Sequence, residues 1–203
     1  MTPGAPYSWR DEAAIRAFVA QAGFGLLCVA APDKVHVVHL PLVWLDERQI
    51  GVHIHRANPI VRHLEGRDAL IVVTGPHGYV SPDWYGLPDK VPTWNYLSAE
   101  LRGPMARLDE AATIAQIDAL SDDQEARLAP KPVWTRGKMG PGQFDRLLGG
   151  LIGFSMQVEM MQGTAKLGQD KPEAARIGVA DALDGGGNGE LAALMRATVP
   201  EAA

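Results

Sequence analysis

The chain has 203 residues, 46% of them hydrophobic and 21% charged, with a formal net charge of −5. That length suits one well-filled domain, and the apolar runs break at His, Pro or charge before membrane-spanning length, so no transmembrane helix is expected. The 19 basic and 24 acidic residues form no long block, so the basic face that announces most nucleic-acid binders is missing.

The opening MTPGAPYSWRDEAA lacks the basic region and apolar core of a secretory signal. A single cysteine, Cys28, leaves no intrachain disulfide framework and fits a reducing cytoplasm. Its setting, FGLLCVAA, suggests a buried structural thiol. The first helix is expected from Asp11 to Ala22, where Ile15, Phe18, Val19 and Ala22 form one apolar stripe and Gly23 supplies a stop. FGLLCVAA, VHVVHLPLVWL and QIGVHIH then read as consecutive antiparallel strands separated by APDK and DER turns.

HRANPIVRHLEG is a strand-to-helix junction. Asn58 is a good N-cap, Pro59 suits the first helical position, and Gly66 closes a helix of about two turns. ALIVVTG is another strand. The Gly-, Pro- and aromatic-rich GPHGYVSPDWYGLPDKVPTWNY predicts an extended segment, an exposed loop over Trp84–Lys90, and a return to the sheet from Val91. SAELRGPMARLD continues as a strand with a bend at Gly103–Pro104.

Helical spacing returns from Glu110 to Leu128, with Ser121-Asp-Asp as the cap of a second segment. PKPVWTRGKMGPG reads as a linker, Gln143–Leu148 as a short helix, GFSMQVEMMQG as a last strand and Pro172–Leu183 as a helix. GGGNG at 185–189 opens a flexible linker and tail over 184–203. The expectation is a mainly β protein with helices (α+β), one domain over 1–183.

Chemistry concentrates in three places. At Arg56-Ala57-Asn58-Pro59 a strand delivers a guanidinium to a helix mouth whose first N–H groups lack internal partners, which makes a phosphate cradle or, more plainly, an ordinary cap beside a surface arginine. His53 and His55 share a strand face that His36 or His39 can approach, but no carboxylate or cysteine stands at supporting spacing, and no metal is assigned. Tyr79, Trp84, Tyr85, Trp94 and Tyr96 supply flat apolar walls for a planar ligand or for a barrel core and interface. No Walker loop, GxGxxG or GxSxG is present.

Five phrases in order, HLPL at 39–42, RANP at 56–59, GPHGYVSPDWY at 75–85, VPTWNY at 91–96 and GTAKLGQDKPEAARIGV at 163–179, resemble the signature blocks of the PaiB-type FMN-binding negative transcriptional regulators. The resemblance runs from Tyr7 to Leu183. It implies a split β-barrel of the pyridoxamine-phosphate-oxidase-like kind, with FMN held at a homodimer interface. On that resemblance Arg56, Ala57, Asn58 and Pro59 hold the FMN phosphate, and His39, Leu40, Pro41 and Leu42 lie along the ring or ribityl chain. Trp94 and Asn95 wall the pocket, and Lys166 and Gln169 reach the same cofactor.

The family's C-terminal block commonly reads KLSQNRPE, where this chain has KLGQDKPE. Asp170 thus puts a carboxylate where it would repel a phosphate unless it turns away toward Lys171 or Arg176. Three functions follow: a flavin-binding regulator, a flavin-dependent oxidoreductase on a small molecule, and a flavin-free interaction module. DNA stays open as a partner, but the charge gives it no support and no helix-turn-helix is apparent.

Overall fold

A computed structural model describes residues 5–198. A two-residue strand β1 (Ser8–Trp9) precedes helix α1 (Glu12–Ala22). Three strands follow as the turn residues predict: β2 (Phe24–Ala30), β3 (Val35–Trp44) and β4 (Gln49–His55). A five-residue 3-10 turn over Pro59–His63 leads to β5 (Asp68–Val80), and a second over Pro82–Tyr85 leads to β6 (Thr93–Arg107). Helices α2 (Glu110–Ala126) and α3 (Gln143–Leu148), strands β7 (Leu151–Gln157) and β8 (Met160–Lys166), and helices α4 (Glu173–Gly185) and α5 (Gly189–Ala197) complete the chain.

The strands form one sheet in the order β1-β8-β6-β5-β2-β3-β4-β7, and β6 also pairs with β7. That last pairing closes β6-β5-β2-β3-β4-β7 into the barrel of an α+β protein. Two compact units are distinguished. One comprises Met1–Ile15, Thr74–Ala99 and Gln162–Ala203; the other comprises Arg16–Val73 and Glu100–Met161.

The second unit holds most of the barrel core. Leu27, Leu40, Ile50, Ile71, Leu101 and Phe154 are fully buried there, contributed by alternate positions of their strands. Gly103 sits inside β6 because nothing larger fits: a Cβ there would lie 1.8 Å from the Gln157 carbonyl oxygen. The strand runs through Gly103–Pro104 to Arg107. In the first unit Val80, Tyr85, Leu167, Val179, Leu183 and Met195 form a separate core under α4 and α5.

Several expectations change. Ser121 caps no new segment: its Oγ donates to the Ile117 carbonyl at 2.8 Å, and α2 runs unbroken. GFSMQVEMMQG is two strands, with the turn at Val158–Glu159 fixed by main-chain bonds from Val158 to Arg48 and from Glu159 to Arg102. The loop at Trp84–Lys90 is partly anchored, since Tyr85 is buried against α4. Residues 184–203 are not simply flexible. Leu191, Ala192 and Met195 form a buried stripe on α5, while the tail beyond 198 lies outside the described residues. Cys28 is half-buried, and burial pushes its thiol up.

Candidate functional site

β3 and β4 begin as a ladder at Leu42↔Val52, Val43↔Gly51 and Trp44↔Ile50, and then part. Before Leu42, β3 keeps only β2 as a strand partner among the described residues, from Phe24↔Pro41 to Ala30↔Val35. Meanwhile β4 stays paired with β7 along its whole length. The split leaves the β4-side edge of His39, Leu40 and Pro41 without a strand partner among the described residues, opposite the end of β4 that leads into Arg56. Leu40 and Leu42 point into the core, whereas His39 is exposed and stacks on Phe24, with centroids 6.3 Å apart and planes 24° apart.

Arg56 is held firmly. Its backbone N–H donates to Gly150 at 2.8 Å, its Nε–H to the Gly149 carbonyl at 3.0 Å, and one Nη–H to Leu151 at 3.4 Å. A guanidinium has five N–H groups, so these two side-chain bonds leave three for an anion.

The amides of the turn behave differently from expectation. Asn58 Oδ1 accepts from Ile60 N at 3.1 Å, Val61 N donates to the Asn58 carbonyl at 3.1 Å, and Ala57 N donates to His55 Nδ1 at 3.2 Å. Asn58 is a working cap, so it satisfies the groups that the sequence left unpartnered. Any phosphate attraction here rests first on Arg56.

A neighbouring cavity of about 350 Å³ includes Arg56 and Arg107 in its lining, but also Asp109, Glu110 and Asp145. Three carboxylates against two guanidiniums make it a poor seat for a dianion.

The other proposed residues lie in the first unit. Trp94 is exposed and meets Tyr79 edge-on at 6.1 Å. Asn95 is buried, and its Nδ2 donates to the Met195 thioether at 3.4 Å. Lys166 bonds to Thr93 Oγ1 and lies over the Tyr7 ring. With Tyr85, Lys90, Asp170 and Lys171, the residues Tyr7, Thr93, Asn95 and Lys166 surround a cavity of about 320 Å³.

Gln169 is fully occupied by backbone. Its Oε1 accepts from Leu167 N at 2.9 Å, and its Nε2 donates to Ala165 at 2.6 Å and to Pro6 at 3.0 Å. Asp170 is turned to Lys171 and the Tyr7 hydroxyl. Burial pushes its carboxyl up, but those partners outweigh it and hold it below the usual carboxylate range. The same contact and partial burial push Tyr7 up to about 12, burial being the larger cause.

The histidines regroup. His53 bonds to Gln116 Oε1 at 3.1 Å, and its burial lowers its pKa. His55 accepts from Ala57. His36, a candidate to approach His53 and His55, instead stacks on His63 beside Asp33. Arg176, a candidate partner for Asp170 in the sequence, does not pair with it and is the largest fully buried side chain among the described residues. Its burial depends on α5, which the sequence did not reveal.

Residues 1–160 match the family described as "Putative FMN-binding domain". The chain belongs to that PaiB-type family, and FMN is its cofactor. Over 170 residues it is 29% identical to the protease synthase and sporulation protein PAI 2 of Bacillus subtilis, covering 82% of this chain and 81% of that one. The fold is shared with the FAD and heme binding protein from Mycobacterium smegmatis: TM-score 0.58, 16% identity, 79% of this chain and 73% of that one. The flavocytochrome Anf3 from Azotobacter vinelandii is similar in fold at TM-score 0.57 and 16% identity, covering 78% of this chain and 69% of that chain.

The β3–β4 split fits the family's cofactor. A dianionic phosphate needs a fixed cation with spare donors, a part Arg56 could fill, and a flat ring needs a flat wall, which Phe24 and His39 could form. No helix among the described residues is long and apolar enough to cross a membrane.

Proposed function

We propose that this protein is a PaiB-type flavin-dependent regulator, a homodimer that holds FMN at the β3–β4 split with Arg56 on the phosphate. The observation that carries the reading is an uncovered apolar face. Phe24, Val35 and Val37 are 52%, 62% and 51% exposed, and they share one face of β2 and β3 with Leu26, Cys28 and His39. Strand β5 extends this face through Leu26↔Val72 and Cys28↔Leu70. A face three strands wide and open to water is what a second copy would cover, and its rim runs along the split. His39 to Leu42 and Arg56 to Pro59 contribute from one protomer. The expected roles of Trp94, Asn95 and Lys166 toward FMN stay part of the same proposal.

Regulation here does not require reading a duplex. α4 and α5 form an antiparallel-type helix pair, but its exposed charge is mostly acidic: Glu173, Asp181, Asp184 and Glu190, with Arg196 tied to Asp181 and Asp184. Such a surface repels phosphate backbone. The same observation favours a second reading, a flavin-dependent oxidoreductase on a small molecule. Bound FMN supplies hydride or electron chemistry, while the chain binds and orients it.

The test is an absorbance spectrum of purified protein after FMN addition and removal of excess, run beside sedimentation. About one flavin retained per chain on a dimer supports the proposal. A stable monomer at micromolar concentration, or no retained flavin, overturns it. Reduction of the bound flavin by NADH or NADPH and its reoxidation by an acceptor favours the oxidoreductase. A salt-dependent shift on promoter DNA restores direct DNA contact.

A further inference from the structure

Asp33, His36 and His63 come together where the flavin reading has no use for them. Asp33 sits in the β2–β3 hairpin turn, which is closed by Ala31 N donating to Lys34 O at 2.9 Å. His36 is the second residue of β3 and is buried, because alternation turns it inward. His63 ends the 3-10 turn that begins at Pro59.

The three offer donor atoms that all lie within 4.8 Å of one another. The His36 and His63 rings are 4.4 Å apart between centroids, with planes 29° apart. His36 Nε2 and Asp33 Oδ1 are 3.4 Å apart. That is long for an N–H···O bond, whose usual length is about 2.9 Å. It does match the spacing, about 3.4 Å, between two ligands bound at roughly 2.0–2.1 Å to one tetrahedral ion. Closing the widest pair to that spacing takes about 1.4 Å of side-chain movement. The exposed Asp33 and half-buried His63 can supply it.

His63 Nε2 accepts from Arg62 Nε at 3.0 Å. Arg62 is exposed, so an arriving ion can displace it. Lys34, Arg62 and Arg67 stand around the cluster and weaken binding relative to an acid-lined site.

We propose that Asp33, His36 and His63 bind one divalent transition ion of the zinc class, with a further coordination position left to water. Two imidazoles and a carboxylate suit zinc or cobalt rather than magnesium or calcium, which prefer all-oxygen shells.

The experiment is titration of chelator-stripped full-length protein with cobalt(II), read by its visible bands, and with zinc(II) in competition with a chromophoric chelator. The expected result is one ion per chain, half-saturated at about 1 µM or below, with the intense bands of four-coordinate cobalt. Asp33→Asn and His63→Gln, both at accessible positions, should each loosen the ion by at least about tenfold with unchanged far-UV circular dichroism. Substoichiometric binding, weak six-coordinate bands, or unchanged affinity in both folded variants would overturn the site. The last outcome would place the ion on other histidines, and His53→Gln checks that.

Discussion

The guanidinium of Arg176, on α4, donates to the main-chain carbonyl of Met195 in the last turn of α5. It also reaches the Arg196 carbonyl at 3.3 Å, while its Nε–H has no partner among the described residues. With 2% of its surface exposed, the side chain is a buried cation, stabilised by helix-end carbonyls rather than by Glu173, which stands 4.0 Å away and mostly in water.

Arg176→Ala should therefore cost about 2–4 kcal/mol, combining lost charged hydrogen bonds with a cavity. Arg176→Met, which keeps the volume and removes the charge, should cost less, because desolvating a guanidinium is itself expensive. Urea unfolding followed by circular dichroism decides between them. Equal losses in the two variants would show that the hydrogen bonds, not the packing, hold α5 down.

Arg56→Ala should weaken FMN binding by about 1.5–3 kcal/mol, the range for a lost hydrogen bond to a charged group. Because the guanidinium also ties the strand end to Gly149 and Leu151, a small loss of stability should accompany it. Quenching of flavin fluorescence measures the affinity. If affinity is unchanged, the phosphate does not lie at Arg56.

Restoring the family's serine at Gly168 should destabilise the chain. Gly168 has φ +79°, and a Cβ there would meet Met195 Cε at an ordinary 3.5 Å. Space is available, so the expected cost is conformational, about 1–2 kcal/mol. A thermal melt of Gly168→Ser at or above the parent midpoint would mean that the turn relaxes to negative φ.

Folding raises the Tyr7 pKa to about 12, so the folded chain holds this phenolic proton more tightly than the unfolded one. Stability from this group is whole below the ordinary value of 10.0 and is lost as pH rises toward about 12. Asp170, held low, contributes in the opposite direction: its share is present above the ordinary carboxylate pKa and lost as pH falls through the lowered one. Unfolding free energies between about pH 9 and 12 should fall more steeply for the parent than for Tyr7→Phe. Parallel curves would rule out a Tyr7 contribution.

Much of the barrel was legible because turn chemistry and β-branched runs alternate so plainly from Phe24 to His55. Asn58 and Pro59 announced their turn, though only a 3-10 turn formed. The β7–β8 turn was hidden because Val158-Glu159 carries no Gly, Pro or Asn, and its geometry comes from Arg48 and Arg102, far away in sequence. α5 was obscured by the glycines before it; its stripe matters only once α4 is there to receive it. For the same reason Arg176 could not be read as buried. His63 belongs with Asp33 and His36 through tertiary packing alone. From the sequence Asp170 reads as a threat to a phosphate; its partners, Lys171 and Tyr7, include one that stands 163 residues away in sequence, the difference between positions 170 and 7.

The first unit draws on three stretches that are widely separated in sequence, and its last stretch starts at Gln162. Pro6 is held by Gln169, Tyr7 by Asp170 and Ser8 by Thr164, so residues 6–8 meet these partners only after β8 and the turn beyond it have been made. The second unit is complete once Met161 has been made. During synthesis the ribosome therefore delivers a closable barrel core before it delivers residues 163–170, which hold Tyr7 and Trp9 in the folded chain. Stalling or truncation between 161 and about 180 would leave that N-terminal segment as the part exposed to proteases and chaperones.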